Sequence, residues 1–499
     1  MRKLALITIA IAVAWGCGGV PKFEGDASDD PGADSAGDTG LDTTPDGTPD
    51  GIVPDGPPDA VIDTPADIPE SCTPGTTRCS LDHSALETCN SSGTGYYPTP
   101  CTFGCGPDPT PHCRVWDISN IPDGSLLSAG ETPTDPAWPT DQDYWLEIDT
   151  DTGQIDITLY YDPDVVIRNV RPADITGIHP GSGIHFTVIA QTGAPDMGVF
   201  SFQRFTLPGN YIVYPTGERA IVILSEEDAT IDGGIYNGCT IWYGGASNSN
   251  EGPGAGTAGS SVFVGDCYRD GGGGGGAFGG TAGNGGGYTT DLVGLGGSPN
   301  GNPELIPLQA GSGGGDGGGT SGGRWGGPSG GATQIVSGGT LTVSATGWVT
   351  ASGCGGYSAG YAAEGGGGGG SGGGILLEAP RLVILGAVTA NGGGGAAGGG
   401  AGEPEVIYGQ SGLIASTTPA LGGTAVSDYS CDGGDGNGST GNGSNAEPCN
   451  SNPTLYNGGG GGASGGRIRL NGMERNVSSA LYSPASSSPA VTEADLTLI

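Results

Sequence analysis

Uninterrupted glycine constrains this chain more than any other feature. Gly271–Gly276 and Gly365–Gly370 are each pure glycine, and of 107 glycines in 499 residues, 82 lie between Ile231 and Gly472. About one residue in three of that segment is therefore glycine. Such a proportion invites a collagen reading, but collagen needs a strict Gly-X-Y period with abundant proline. The six-residue runs break that period and exclude a triple helix.

Short apolar phrases recur once the glycine runs are set aside. One reads Ala229-Thr230-Ile231-Asp232-Gly233, Val349-Thr350-Ala351-Ser352-Gly353 and Val388-Thr389-Ala390-Asn391-Gly392. The apolar strands Ile221–Leu224, Leu341–Val343 and Leu382–Leu385 precede its three copies. A second phrase joins Ser-Gly-Gly to a strand at Ser329–Val336, Ser371–Leu377 and Ser464–Leu470, with a weaker copy at Gly259–Val264. Two short strands per unit, stacked unit on unit, bury their apolar positions in a parallel β-solenoid, or β-helix. Asn, Asp and Gly tolerate the positive φ that its turns need. The expected fold is all-β, with long polyglycine loops hanging from one side of the solenoid. The runs are either disordered or packed as polyproline-II-like strands, since glycine alone permits so close a backbone approach. Their position directly before strands, as at Gly458–Gly466, favours partial order.

The ends of the chain read differently. Arg2 and Lys3 precede an apolar run, Leu4–Ala14, that is too short to span a bilayer. Ala14-Trp15-Gly16-Cys17 then resembles the lipobox of bacterial lipoproteins. The resemblance implies cleavage after Gly16, acylation of Cys17 and anchorage to a membrane. Gly18, where inner-membrane lipoproteins of enteric bacteria carry Asp, points to the outer membrane and the cell surface. Glu24–Glu70 holds 14 acids, eight prolines and no base. Like charges extend such a stretch, and it lacks the apolar surface to fold, so a disordered linker is expected. The expected divisions are 1–17 signal and anchor, 18–71 linker, 72–113 six-cysteine module, 114–216 strand-rich segment capping the solenoid, 217–472 solenoid and 473–499 tail.

Cys72, Cys79, Cys89, Cys101, Cys105 and Cys113 fall within 42 residues. In an exported chain this density reads as a disulfide-stapled module, with fifteen pairings open. Cys101-x3-Cys105 is also tolerable zinc spacing, but the even count and export favour disulfides, and no metal or cofactor is expected. Farther on, Cys431 with Cys449 and Cys239 with Cys267 are candidate loop staples, leaving Cys354 buried or free. Tyr144–Thr150 and Gln154–Tyr161 alternate around Asp151-Thr152-Gly153, a hairpin signal. Asp149, Asp151 and Asp156 lack the third acid and the glutamate of a calcium loop. His179 and His185 flank a turn without further ligands.

The six-cysteine stretch resembles a Cys-rich module of secreted myxobacterial proteins. Gly217–Leu224, Gly365–Glu378 and Gly458–Leu470 resemble glycine-rich surface lipoproteins of deltaproteobacteria, for which a β-solenoid is expected. That resemblance implies no activity. The leading expectation is a non-enzymatic, lipid-anchored surface protein with an envelope-structural or adhesive role. Its partners would be the membrane, through the anchor, and an extracellular glycan or another surface protein. Nucleic acid is excluded, because phosphate contacts need clustered bases and the only lysines are Lys3 and Lys22. A glycan-binding module would use Trp242, Tyr243, Trp325 and Trp348. A polysaccharide lyase or hydrolase would need converging acids. Ile231–Leu470 contains no Asp-Asp or Asp-x-Asp pair, leaving Glu364 and Glu378 as the first acids to test.

Overall fold

The computed structural model describes residues 71–122, 139–239, 251–264, 267–319, 325–358, 364–399, 407–425, 430–437, 441–447 and 457–499. Cys17, the linker before residue 71, Trp242, Tyr243 and Cys449 lie outside them. Residues 69–499 form one compact unit, and the described residues are all-β without a helix.

The six-cysteine segment carries β1 (Thr77–Cys79), β2 (Ala85–Cys89) and β3 (Tyr96–Pro100) as an antiparallel sheet, and β4 (Cys105–Gly106) with β5 (His112–Cys113) as a second pair. Three disulfides cross-link it: Cys72–Cys89, Cys79–Cys105 and Cys101–Cys113. With so little apolar core in a unit of this size, the staples supply what packing cannot.

Two large curled mixed sheets of eleven and eight strands follow. β6 (Tyr144–Asp149), β7 (Ile155–Leu159) and β8 (Asp162–Arg171) pair antiparallel in the eight-stranded sheet. The expected hairpin at Asp151-Thr152-Gly153 is the turn between the first two. β9 (Gly177–Ile178) and β10 (His185–Ile189) begin the other sheet, also antiparallel.

From Met197 the chain runs in strand triplets. The first is β11 (Met197–Phe202), β12 (Phe205–Leu207) and β13 (Tyr211–Thr216); the second is β14 (Ala220–Ser225), β15 (Ala229–Ile231) and β16 (Gly234–Tyr236). After a hairpin of β17 (Ser261–Val264) and β18 (Cys267–Asp270) comes a third, β19 (Ala332–Ser337), β20 (Thr340–Val343) and β21 (Trp348–Thr350). Then β22 (Gly374–Ile384) and β24 (Arg467–Asn476) each merge the first two strands into one, followed by β23 (Ala387–Thr389) and β25 (Leu481–Ser483); β26 (Val491–Ala494) closes the series. Each triplet lies parallel on the one before: Val222 beside Gln334 and Leu376 beside Arg469 in the first position, Thr230 beside Thr342 in the second, Ile235 beside Val349 and then Val388 in the third.

The apolar alternation decides which face turns inward. Ile148, Ile157, Val213, Ile223, Ile231, Ile335, Val349, Leu377, Val388 and Leu470 share one buried core between the sheets. The opposite side of the strands in the first position is covered as well. Val199, Val222, Val336 and Leu376 pack there against Trp116, Ile118, Ile121, Phe278, Leu305, Leu308 and Leu496. Strands buried on both faces read as continuous apolar runs, which is why Ile221-Val222-Ile223-Leu224 shows no alternation.

Four details depart from the sequence reading. The Ala229–Gly233 phrase is not in register with Val349–Gly353, because Ile235 takes that place and Thr230 pairs with Thr342 instead. The weak copy at Gly259–Val264 belongs to the antiparallel hairpin, not to the parallel series. Residues 473–499 are no tail, since they complete β24 and supply β25 and β26. Cys239 bonds Cys354, so the expected Cys239–Cys267 bridge does not form. Cys431 is also disulfide-bonded.

The glycine runs leave the sheets after the third strand of a triplet and pack against one another. In Gly365–Gly373 all nine backbone N–H groups donate at 2.7 to 3.1 Å, in strict rotation to three neighbours. Gly365, Gly368 and Ser371 donate to Gly318, Gly315 and Ser312. Gly366, Gly369 and Gly372 donate to Gly458, Gly461 and Ser464, and Gly367, Gly370 and Gly373 to Tyr357, Cys354 and Ala351. Its carbonyls accept from three further segments, through Gly273 and Gly276, Gly327 and Gly330, and Gly393 and Ala396. A three-residue rotation is the period of a polyproline II helix, which has about three residues per turn and no internal hydrogen bonds. Six neighbours thus satisfy a backbone that would otherwise be buried without partners.

Candidate functional site: an aromatic strip beside a row of carboxylates

The outer face of the eight-stranded sheet carries two side-chain rows running across the strands. Tyr144, Leu146 and Ile148 of β6 point inward, so Trp145 and Glu147 point out. Cross-strand register continues the first row as Trp145, Ile212, Gly234 and Trp348. The second runs Asn169, Asp156, Glu147 and Tyr214, with Tyr236 beside Thr350 farther along.

The aromatic groups of both rows touch in sequence. Tyr161 stands edge-on to Tyr160 at 4.9 Å between ring centroids, and Tyr160 stacks on Trp145 at 4.9 Å with 20° between planes. Trp145 meets Tyr214 edge-on at 5.0 Å, and Tyr214 lies parallel to Tyr236 at 6.1 Å. Tyr160 and Tyr161 come from the two-residue turn of the β7–β8 hairpin, and Tyr161 is 85% exposed. The indole Nε1–H of Trp145 donates to the Tyr160 carbonyl at 3.1 Å, which holds that ring in place.

At the other end Trp348 lies over Gly234. A Cβ on Gly234 would fall within the Trp348 indole itself. The absence of a side chain there is what lets the ring lie down on the sheet. Tyr236 backs the strip: its hydroxyl donates to the Cys239 carbonyl at 3.1 Å, and burial pushes its pKa up to about 12.

The carboxylates beside the strip are hydrogen-bonded. Thr158 donates to Glu147 at 3.1 Å, and Asn169 donates to Asp156 at 2.7 Å, with Gln154 on its second oxygen. Burial raises the Glu147 pKa, Thr158 opposes that, and the nearby Asp156 charge adds to it.

The residues expected to carry function are scattered. Glu378 is 1% exposed and accepts from Gln334 at 2.6 Å and Asn471 at 2.9 Å, sealed under Ser119. Glu364 is buried where a bundle segment begins, its carbonyl accepting from Gly399. Of the expected aromatics among the described residues, Trp325 is exposed, with its carbonyl accepting from Tyr357, and Trp348 joins the strip. Among the described residues no group of three His, Cys, Asp or Glu side chains could hold a metal ion. Trp145, Tyr160, Tyr161, Tyr214 and Tyr236 were not legible as a set. Their alternation with buried residues marks them as outward-facing, but only cross-strand register unites them.

No protein family, curated protein or solved structure matches the chain.

Proposed function

We propose that this chain is a non-enzymatic, lipid-anchored protein of the cell surface with an envelope-structural or adhesive role. Its body is a parallel β-solenoid of three strands per turn, decorated on one side by the glycine bundle. The parallel register of successive triplets supports that architecture, and the lipobox-like sequence ending at Cys17 supports the anchor. The outer membrane is its site, and the acidic linker sets the distance of the body from the bilayer.

One observation carries the adhesive role. The aromatic strip from Tyr161 to Trp348 runs along the outer side of the eight-stranded sheet, with Tyr160 and Tyr161 exposed and the other rings half-buried, while Glu364 and Glu378, the acids best placed by sequence for catalysis, are buried. A flat surface of that kind suits binding without turnover.

The test joins three assays on intact cells. Labelled fatty acid should enter the wild-type chain and not Cys17→Ser, and the labelled protein should be digested by protease added outside the cell. Incubation with a polysaccharide panel should release no new reducing or unsaturated ends. Equal labelling of both chains, or steady release of such ends, would overturn the proposal.

A further inference from the structure

We infer that the strip binds an uncharged oligosaccharide chain laid across the strands, from the Trp145–Tyr160 pair to Trp348. This rests on the adhesive reading above and adds to it the chemical class of the ligand.

Pyranose rings present a face of aliphatic C–H bonds with slight positive charge, and an aromatic face is the negative pole of a ring quadrupole. The fit is best when the rings are already held in place, because ordering them on binding costs affinity. Both ends of the strip meet that condition. Trp145 is pinned by its hydrogen bond to the Tyr160 carbonyl and by the stacked Tyr160 ring. Trp348 rests on the backbone of Gly234.

Spacing sets the length of the ligand. Trp145 and Trp348 are three strands apart in one cross-strand row, and the indole of Trp348 reaches back over Gly234. At about 4.8 Å per strand the two platforms are roughly 10 Å apart. One sugar ring cannot touch both, but a short chain can.

Charge sets the class. Glu147 stands half-buried in the adjoining row and offers an acceptor for sugar hydroxyls, since a carboxylate has about four lone-pair sites and Thr158 takes one of them, whereas Asp156 is buried and held by Asn169 and Gln154. Asp162 and Asp164 of β8 are exposed nearby, and the whole chain has a formal charge of −38. Uronate or sulfated chains meet like charge on this face, and uncharged ones do not.

The experiment uses the secreted full-length Cys17→Ser chain on insoluble β-1,4-glucan, chitin and mannan, with polygalacturonate as the anionic control. Titration calorimetry with soluble oligomers of the retained polymer follows. The expected result is retention on at least one neutral polymer and none on polygalacturonate, with binding to the hexamer and none to the monosaccharide. Trp348→Ala should bind at least about tenfold more weakly, and Gly234→Val, which keeps every ring but lifts Trp348, should weaken binding similarly. Thermal melting checks that each variant is folded, and if Gly234→Val is not, Trp348→Ala decides alone. No retention on any neutral polymer, preference for polygalacturonate, or unchanged affinity in either folded variant, Trp145→Ala or Trp348→Ala, would each overturn the inference. A chain that accepts fatty acid and reaches the surface yet binds no glycan sinks this inference while leaving the surface role intact. Failure of labelling does the reverse.

Discussion

Gly460 shows what a single residue contributes to this molecule. Its N–H donates to the Ala396 carbonyl, its own carbonyl accepts from Gly434, and a Cβ built on it would collide with the Gly367 carbonyl oxygen. The Cα–H that occupies that direction points at the oxygen, a weak contact of the kind found between strands. Gly460→Ala should therefore destabilise the fold by about 3 kcal/mol, the upper range for overpacking, read as a shift in denaturant midpoint. Gly209→Ala is the control, since its nearest neighbour would be the Asp232 carbonyl at 3.7 Å, and its midpoint should barely move. Glu378 gives a pH signature. Burial raises its pKa above the ordinary 4.5 despite the hydrogen bonds from Asn471, Ser119 and Gln334. Folding then favours the protonated form, so its contribution is complete below the ordinary value and is lost as pH rises through the folded one. Glu378→Gln should flatten that loss, making the variant more stable than the parent at neutral pH but not near about pH 4. Denaturant midpoints across that range would show it, and equal slopes in the two chains would refute it.

Among elements, the strands and the glycine segments differ in how far their sequences announce them. Val349-Thr350 and Val388-Thr389 share a phrase and are neighbours in the sheet. The equivalent strand of the second triplet, Gly234–Tyr236, carries a different one, and the similar phrase at Ala229–Ile231 lies in the second position instead. Three-residue strands hold too little pattern to fix register by themselves, and the hydrogen-bonded neighbours decide it. The Cys239–Cys354 bridge follows from that register. It joins the points where two adjacent triplets, ending in β16 and β21, give way to glycine-rich segments. Spacing alone favoured a shorter loop, whereas the bridge spans 115 residues. Closing so long a loop restricts the unfolded chain, so replacing both cysteines with serine should cost about 4 kcal/mol. Guanidinium unfolding of the paired variant measures it, and a change below about 1 kcal/mol would mean that the glycine bundle alone holds the two exits together.

For the whole molecule, the last 27 residues are structural. β25 covers the edge of β23, β26 covers β24, and Leu496 packs with Trp116 in the second apolar layer. A chain ending at Gly472 should expose Val388, Leu470 and Trp116 and accumulate as insoluble protein, where a dispensable tail would leave solubility and melting temperature unchanged. The sequence by itself determined the all-β class, the disulfide density of the first module and the confinement of glycine to one half. Those follow from local chemistry: β-branched runs, cysteine spacing, and a residue without a side chain. The aromatic strip, the Cys239–Cys354 bridge and the partners of each glycine segment were decided only by the tertiary structure. A glycine run has no side-chain pattern to name its neighbours. Which carbonyl each N–H meets is settled when the strands at its ends lock into the sheets and hold the runs within reach of one another.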